Sequence, residues 1–245
     1  MSNFPFQRLQ SELSVLIAST PAGERLPSEP QLARKLGVSR ATLREAMRTF
    51  ETQGLIRRRQ GAGTFVVGQM PVLDSGLEVL ESVETIARRL NLAVTVSDLR
   101  IEKLYADQEL ANGLKMPLAT RLISVRRVIR ADSRPVAYLV DTLPEQFLKP
   151  EDLPRSFNGS VLDFLVAHGT PLTISRAAIS ATGATAEVAR ALEIQREDVL
   201  LKFTSQLYLA DGSIVDYSVS NFIPGYFNFH VIRRVGSSNS SPQNH

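Results

Sequence analysis

The sequence contains no cysteine, which excludes disulfides, thiolate metal sites and cysteine nucleophiles together. Histidine is nearly as scarce. The three present, at 168, 230 and 245, show no spacing that suits a metal or a catalytic dyad. No apolar run approaches the roughly 18 residues of a membrane span. The opening MSNFPFQRLQSELSVLI lacks the basic-then-apolar layout of a secretory leader. GxSxG, GxGxxG and Walker patterns are absent as well. The expectation is a cytoplasmic chain with no membrane partner, no metal and no cofactor.

What is there is ordinary globular material. The 245 residues are 43% hydrophobic and 22% charged, enough for one large domain or two smaller ones. Charge is unevenly spread: residues 1–68 hold ten Lys/Arg against five Asp/Glu, about +5, so the net +3 leaves the remainder at −2. A basic module joined to a slightly acidic one suggests a polyanion partner for the first alone.

The basic module reads as three helices and a hairpin. QRLQSELSVLIAS repeats apolar residues at Leu9, Leu13, Leu16 and Ile17, a helical spacing. A second helix opens at Ser28 with Gln31 in the reciprocal capping position and Pro30 in its first turn, and it stops at Gly37. Ser39 caps a third, which runs to about Gln53 and ends at Gly54. LIRRRQGAGTFVV then forms two short strands around a glycine-containing turn. This is a winged helix-turn-helix, whose third helix faces the major groove of DNA. In GVSRATLREAMR, Arg40, Arg44 and Arg48 share one face while Leu43, Met47 and the following Phe50 hold the other against the first two helices. Arg40, near the helix start, suits bidentate contact with a guanine. Ser39, Thr42 and the amides around them suit a phosphate. Arg57, Arg58 and Arg59 alternate faces, so not all can touch DNA, while Gly61 and Gly63 let the wing tip approach the minor groove.

The stretch RLPSEPQLARKLGVSRATLREAMRTFETQGLIRRRQGAGTFV closely resembles the DNA-binding domain of the GntR family of bacterial transcription regulators. The resemblance implies DNA contacts at Ser39, Arg40, Thr42, Arg44 and Gly61. It departs at one point: the family's DNA-contacting arginine directly after LPSE is Pro30 here, so that contact is lost or passes to a neighbour such as Arg34.

The second module is α+β. GQMPVLDSG reads as a linker and LEVLESVETIARRL as an amphipathic helix, so residues 69–94 connect the domain at 1–68 to one at 95–235. Strands are expected near 95–103, 121–131, 135–143, 172–182, 199–209, 214–222 and 228–234, with helices near 106–114, 159–168 and 185–193. ADSRP and LADGS are hairpin turns, giving a mostly antiparallel sheet with helices packed on one side. The Arg126-Arg127 pair splits across its two faces. One of them therefore faces the helix-covered side, where a lone guanidinium needs an anionic partner. His168, at a helix end, suits a capping or solvated role. The tail at 236–245 is polar and expected to be disordered.

RVIRADSRPVAYLVDTLP and LADGSIVDYSVSNFIPGYFNF resemble the effector-binding domain of the HutC subfamily of GntR regulators, called UTRA, which shares the chorismate lyase fold. The resemblance places effector ligands at Arg127, Asp216 and Ser160, while two further polar ligands have become Ile129 and Leu139. Asp141, on the face of Leu139, is a substitute for the lost acid or a partly exposed strand residue. Arg127 and Asp216 are alternatively a buried structural pair. An arginine with so few polar companions implies a small anion or an apolar carboxylate as effector.

The expected function is a sequence-specific transcription regulator and repressor. It acts as a homodimer on a palindromic double-stranded operator, with a small anionic effector in the second domain. Two rivals are an enzyme on the chorismate lyase-like fold and a non-specific DNA-organising protein. The missing acid-base constellation and the attached DNA module count against an enzyme.

Overall fold

The structure is a computed structural model that describes residues 4–21, 23–52, 55–59, 62–67, 73–154 and 156–232. The first module is the expected winged helix-turn-helix: α1 (Phe4–Ser19), α2 (Glu29–Leu36), α3 (Arg40–Thr52) and the antiparallel wing of β1 (Ile56–Arg59) and β2 (Gly63–Val66). Leu9, Leu13 and Ile17 of α1 meet Leu32 of α2 and Leu43 and Met47 of α3 in one buried cluster. Helical periodicity alone puts these residues on facing sides. α2 begins where Gln31 Oε1 accepts from Ser28 N at 3.0 Å and from Ser28 Oγ at 2.8 Å. It stops at Gly37, whose φ of 66° is left-handed. Ser39 Oγ accepts from Thr42 N at 3.1 Å and opens α3. Gln53 and Gly54, expected at the end of α3, lie outside the described residues.

Beyond the wing the structure differs from the expected linker and long helix. Leu73–Gly76 is a strand, β3, and the helix α4 is confined to Val83–Arg89. Ser82 sets the later start, its Oγ accepting from Thr85 N at 3.0 Å and donating to Asp163 at 2.8 Å. Leu77 and Leu80, read as the helix's core positions, are 39% and 51% exposed. They lie in a bent, non-helical strap, residues 77–81, that lines a cavity rather than coiling over it.

The second module follows as β4 (Val94–Tyr105), α5 (Gln108–Leu114), β5 (Arg121–Ala131) and β6 (Arg134–Pro144), then α6 (Val161–Ala167) and β7 (Leu172–Gly183). It closes with α7 (Ala186–Ala191), β8 (Val199–Leu209), β9 (Ile214–Phe222) and β10 (Phe227–His230). β4 to β9 form one antiparallel sheet in the order β4-β5-β6-β9-β8-β7, while β10 pairs in parallel with β3. The ADSRP and LADGS hairpins join β5 to β6 and β8 to β9 as expected.

The helices lie on both faces of the sheet, not one. α5 packs where Tyr217 closes on Gly113 and Gln206 Nε2 donates to Gly113 O at 2.7 Å. α7 joins the same side, with Tyr138 Oη donating to Glu187 at 2.7 Å. α4 and α6 cover the opposite face, reached by Arg127, Leu139 and Asp216. Each face has its own apolar positions because period-2 strands bury both sides of a sandwiched sheet. The tail at 236–245 lies outside the described residues.

Candidate nucleic-acid interface and ligand cavity

On α3 the apolar and cationic residues separate by face. Leu43, Ala46 and Met47 are fully buried, whereas Arg40, Thr42 and Arg44 are exposed. Ser39 Oγ and Thr42 Oγ1 lie 2.8 Å apart at the helix start, beside first-turn amides that the helix leaves unpaired. Arg44 is held by a residue the sequence reading passed over. Its Nε donates to Glu29 Oε2 at 2.6 Å, from the first residue of α2. The three-arginine stripe is split, because Arg48 turns to the second module and donates to Asp198 at 3.0 Å.

The wing follows the expected alternation. Arg57 is exposed, while Arg58 turns inward, 3.8 Å from Glu29 and 3.5 Å from Glu51, and donates to the Arg44 carbonyl at 3.3 Å. Glu29 thus ties helix, turn and wing together. Gly61 lies outside the described residues. Arg25 lays its guanidinium over Gly63, so closely that a Cβ there would fall 2.4 Å from Nε. No periodic signal marks Arg25 in its turn, so only the fold reveals it at the wing. Pro30 and Arg34 are both exposed on α2.

The second module holds a cavity of about 500 Å³ between the sheet, β10 and the strap 77–81. Arg127, Asp141 and Asp216 are on its wall; Ser160 is not. Ser160 is instead the N-cap of α6, accepting from Asp163 N at 3.3 Å. Its neighbour Gly159, at φ 91°, lies against Arg127, where a Cβ would be 2.7 Å from Cδ. Arg127 is the buried member of the Arg126-Arg127 pair, 4% exposed. Its Nε donates to Glu84 Oε1 at 3.1 Å and its Nη1 to Asp141 Oδ2 at 2.6 Å. Arg126 points the other way, to Glu187 at 3.3 Å. Glu84, on α4, was missed because it falls inside an apparently amphipathic stripe; its burial was the only available clue, and that is a property of the fold.

These charges are unequally satisfied. Burial lowers and the two carboxylates raise the Arg127 pKa, with a net upward shift. Burial pushes the Asp141 carboxyl up from its ordinary value while Arg127 pulls it back. Asp216 rises well above the carboxylate range, through burial and the neighbouring Asp141, although it accepts from Thr142 N at 3.1 Å. Of the two aspartates, Asp141 is held back by the guanidinium it touches and Asp216 is pushed further up, so Asp216 takes a proton the more readily. His168 makes a local bond, its Nδ1 2.8 Å from Phe164 O at the end of α6.

Comparison with known proteins gives two family matches. Residues 7–66 match the bacterial regulatory proteins of the gntR family, and residues 89–228 match the UTRA domain. The histidine utilization repressor of Klebsiella aerogenes is 31% identical over 180 residues, covering 73% of each chain. The HTH-type transcriptional repressor NagR of Bacillus subtilis is 26% identical over 212 residues, covering 86% of each. The structure of PhnF from Mycobacterium smegmatis superposes with a TM-score of 0.63 at 21% identity, covering 93% of this chain and 100% of that one. That similarity establishes the fold.

Proposed function

This chain belongs to the GntR family of bacterial regulatory proteins, in its UTRA-containing HutC branch, and from that footing we propose that it is a dimeric repressor whose operator affinity is set by a ligand in the cavity. It is a DNA-binding transcription regulator controlled by a small-molecule effector, not an enzyme. Among the described residues no helix is long and apolar enough to cross a membrane.

The observation that carries the DNA reading is the open face of α3. Arg40 and Arg44 stand one turn apart on a helix whose opposite side is fully buried. Arg40 reads a guanine edge, Arg44 exchanges Glu29 for DNA, and Ser39 and Thr42 take a phosphate with the first-turn amides. Gly61 lets the wing approach the minor groove. One such head buries roughly 600–1,000 Å² on DNA, so two heads on half-sites one turn apart supply the specificity. Dimerisation is supported by β7, a 12-residue edge strand whose outer ladder is unpaired among the described residues and open to a second copy.

Ligand and DNA are coupled through the chain itself. The segment leaving the wing forms β3, lines the cavity as the strap and enters α4, where Glu84 meets Arg127. A ligand on that wall therefore shifts the segment that carries the head, and by linkage operator binding shifts ligand affinity equally. The anionic effector implied by the resemblance meets an obstacle. Arg127 is the single cation on this wall among the described residues, and it already carries two carboxylates. An anion approaching it meets the two carboxylates already bound to Nε and Nη1.

Fluorescence anisotropy tests the regulator reading, with DNA from upstream of the protein's own gene against scrambled DNA across a salt series. The expected result is a preference of about a thousandfold or more that Arg44→Ala abolishes. Equal affinity for both duplexes and for a library selected from random DNA refutes it.

A further inference from the structure

We propose that the cavity takes an amphipathic amine, its ammonium group between Asp141 and Asp216 and its apolar or aromatic body against Phe203, Phe222 and Phe229. This rests on the effector reading above and gives the ligand a charge and a polarity.

The floor of the cavity is graded along one strand. Asp216, Ser218, Ser220 and Phe222 alternate on β9, and all four line the cavity. They run from acid through hydroxyl to aromatic over about 20 Å of strand. The neighbouring strands repeat the bands. Asp141 of β6 and Ser205 of β8 lie opposite Ser218. Phe203 of β8 lies opposite Ser220. The aromatic end is closed by ring contacts, with centroids 5.3 Å apart for Phe203 and Phe222, and 4.7 Å and 5.1 Å from these to Phe229 of β10. A ligand lying along this floor needs an apolar end, a polar middle and a head that satisfies carboxyl groups.

The charge of that head follows from counting partners. Among the described residues the wall sets three carboxyl groups (Glu84, Asp141 and Asp216) against one guanidinium, Arg127, which pairs with the first two and not with Asp216. Asp216 is 5% exposed, too buried to hold an unpaired charge without penalty. Burial and the neighbouring Asp141 push its carboxyl up, so it takes a proton more readily than an ordinary carboxyl. An ammonium group relieves the same penalty and adds charge-assisted hydrogen bonds to both aspartates. Glu78 and Glu81 of the strap line the cavity as well; Glu81 is paired with Arg89 at 2.8 Å, so Glu78 is the strap carboxylate that favours a cation over an anion. Where Asp216 holds its proton, binding of the ammonium form displaces it to buffer, and the ligand keeps its own.

Calorimetry on the full chain tests this with a matched trio: 4-phenylbutylamine, 4-phenylbutanol and 4-phenylbutyrate. The amine is expected to bind about tenfold or more tightly than the alcohol, with the carboxylate weakest. The heat should vary with buffer ionisation enthalpy in the sense of proton release, and more so as the pH is lowered from neutral into the range where Asp216 holds its proton. Asp216→Asn keeps the acceptor for Thr142 N, so it should fold, and it should lose about tenfold in amine affinity together with the proton release. Tighter binding of the carboxylate or of inorganic phosphate overturns the proposal. So does an amine that binds no better than the alcohol, or not at all at millimolar concentration. Operator binding by the same preparations reports the regulator reading separately. Specific DNA binding with a preference for the carboxylate removes only the charge assignment. A preference for the amine with no DNA specificity removes only the regulator reading.

Discussion

Glu84→Gln should destabilise the effector domain far more than its position on a short helix suggests. The Glu84 and Arg127 side chains are 7% and 5% exposed and meet at 3.1 Å. Breaking a fully buried pair costs about 3–5 kcal/mol when the remaining charge is left alone. Here Arg127 keeps Asp141 at 2.6 Å and the glutamine carbonyl still accepts from Nε, so replacing the carboxylate by a neutral acceptor costs about 1 kcal/mol. The amide adds a penalty. Glu84 Oε2 is buried and has no hydrogen-bond partner, and an NH₂ group there would bury two unpaired donors, costing about 1 kcal/mol or more. The total, about 2–4 kcal/mol, lowers Tm by roughly 6–12 °C at about 3 °C per kcal/mol for a unit of this size. The sequence supplies a clean probe: it has no tryptophan, and all five tyrosines, at 105, 138, 208, 217 and 226, lie in the second module. Thermal melting followed by tyrosine fluorescence therefore reads this domain alone. Glu81→Gln is the control, because Glu81 pairs with Arg89 at 2.8 Å where the side chains are 25% and 47% exposed, worth under about 1 kcal/mol. Equal and small shifts for the two variants, under about 2 °C, would refute the reasoning.

Asp216→Asn should stabilise the same domain at neutral pH, because the folded-state pKa of Asp216 lies above its unfolded value. Wild-type stability then falls as pH rises from the ordinary carboxylate range towards the raised pKa, by at most about 1.4 kcal/mol per pH unit. The advantage of the variant should vanish near pH 4 in denaturation series across pH; a pH-independent difference contradicts the assignment. Arg40→Ala should weaken operator binding by about 1–3 kcal/mol and relax the preference at one base position, read by anisotropy on single-base operator variants. A uniform loss across all variants would make Arg40 a phosphate contact. Asp198→Ala, which removes the 3.0 Å tie to Arg48, should tighten ligand-free DNA binding by up to about fivefold, and unchanged affinity would leave the tie without a role in DNA binding. Gly159→Ala should lower Tm, since φ is 91° and the Cβ would fall 2.7 Å from both Arg127 Cδ and Leu99 Cδ1; a melt equal to wild type refutes that packing.

The helix-turn-helix was legible in the sequence because local rules decide it. Caps at Ser28 and Ser39, the stop at Gly37 and the apolar period of α1 and α3 each act within a few residues. The sheet strands were legible for the same reason, since ADSRP and LADGS fix two registers locally. The strap was not. Leu77, Leu80, Val83 and Ile86 keep a helical period, yet only Val83 and Ile86 find a core. Leu77 and Leu80 have a cavity beneath them, and a cavity leaves no mark in a periodicity. β3 was hidden likewise, because its partner β10 is about 150 residues away in the chain. Arg127 was identified and its need of an anion foreseen, but Glu84 was not, because which carboxylate reaches a buried guanidinium depends on how α4 lies across the sheet. Ser160 matched by resemblance, but its hydroxyl is committed to starting α6.

On the proposed reading, the same segment supplies the route by which one site governs the other. A strap that coiled into α4 would bury Leu77 and Leu80 on the sheet and close the cavity with rigid helix, leaving the head insensitive to what lies beneath. As built, the strap is tied at both ends. Leu77 N donates to His230 O at 2.8 Å, and Ser82 donates to Asp163 at 2.8 Å. Between these ties Leu77, Val79 and Leu80 remain exposed, so the strap has apolar surface to bury when a ligand fills the space below it. Four residues between two fixed ends are too short to absorb that movement locally. The displacement passes to β3 on one side, which carries the head, or to Glu84 on the other, where it strains the Arg127 pair. An effector that satisfies Asp141 and Asp216 changes the field on that same guanidinium, so charge and packing act on α4 together. Glycine substitutions at Val79 and Leu80 separate the two contributions. They slacken the strap without touching a carboxyl group, so loss of coupling with retained ligand affinity assigns transmission to packing. Retained coupling assigns it to the charge network.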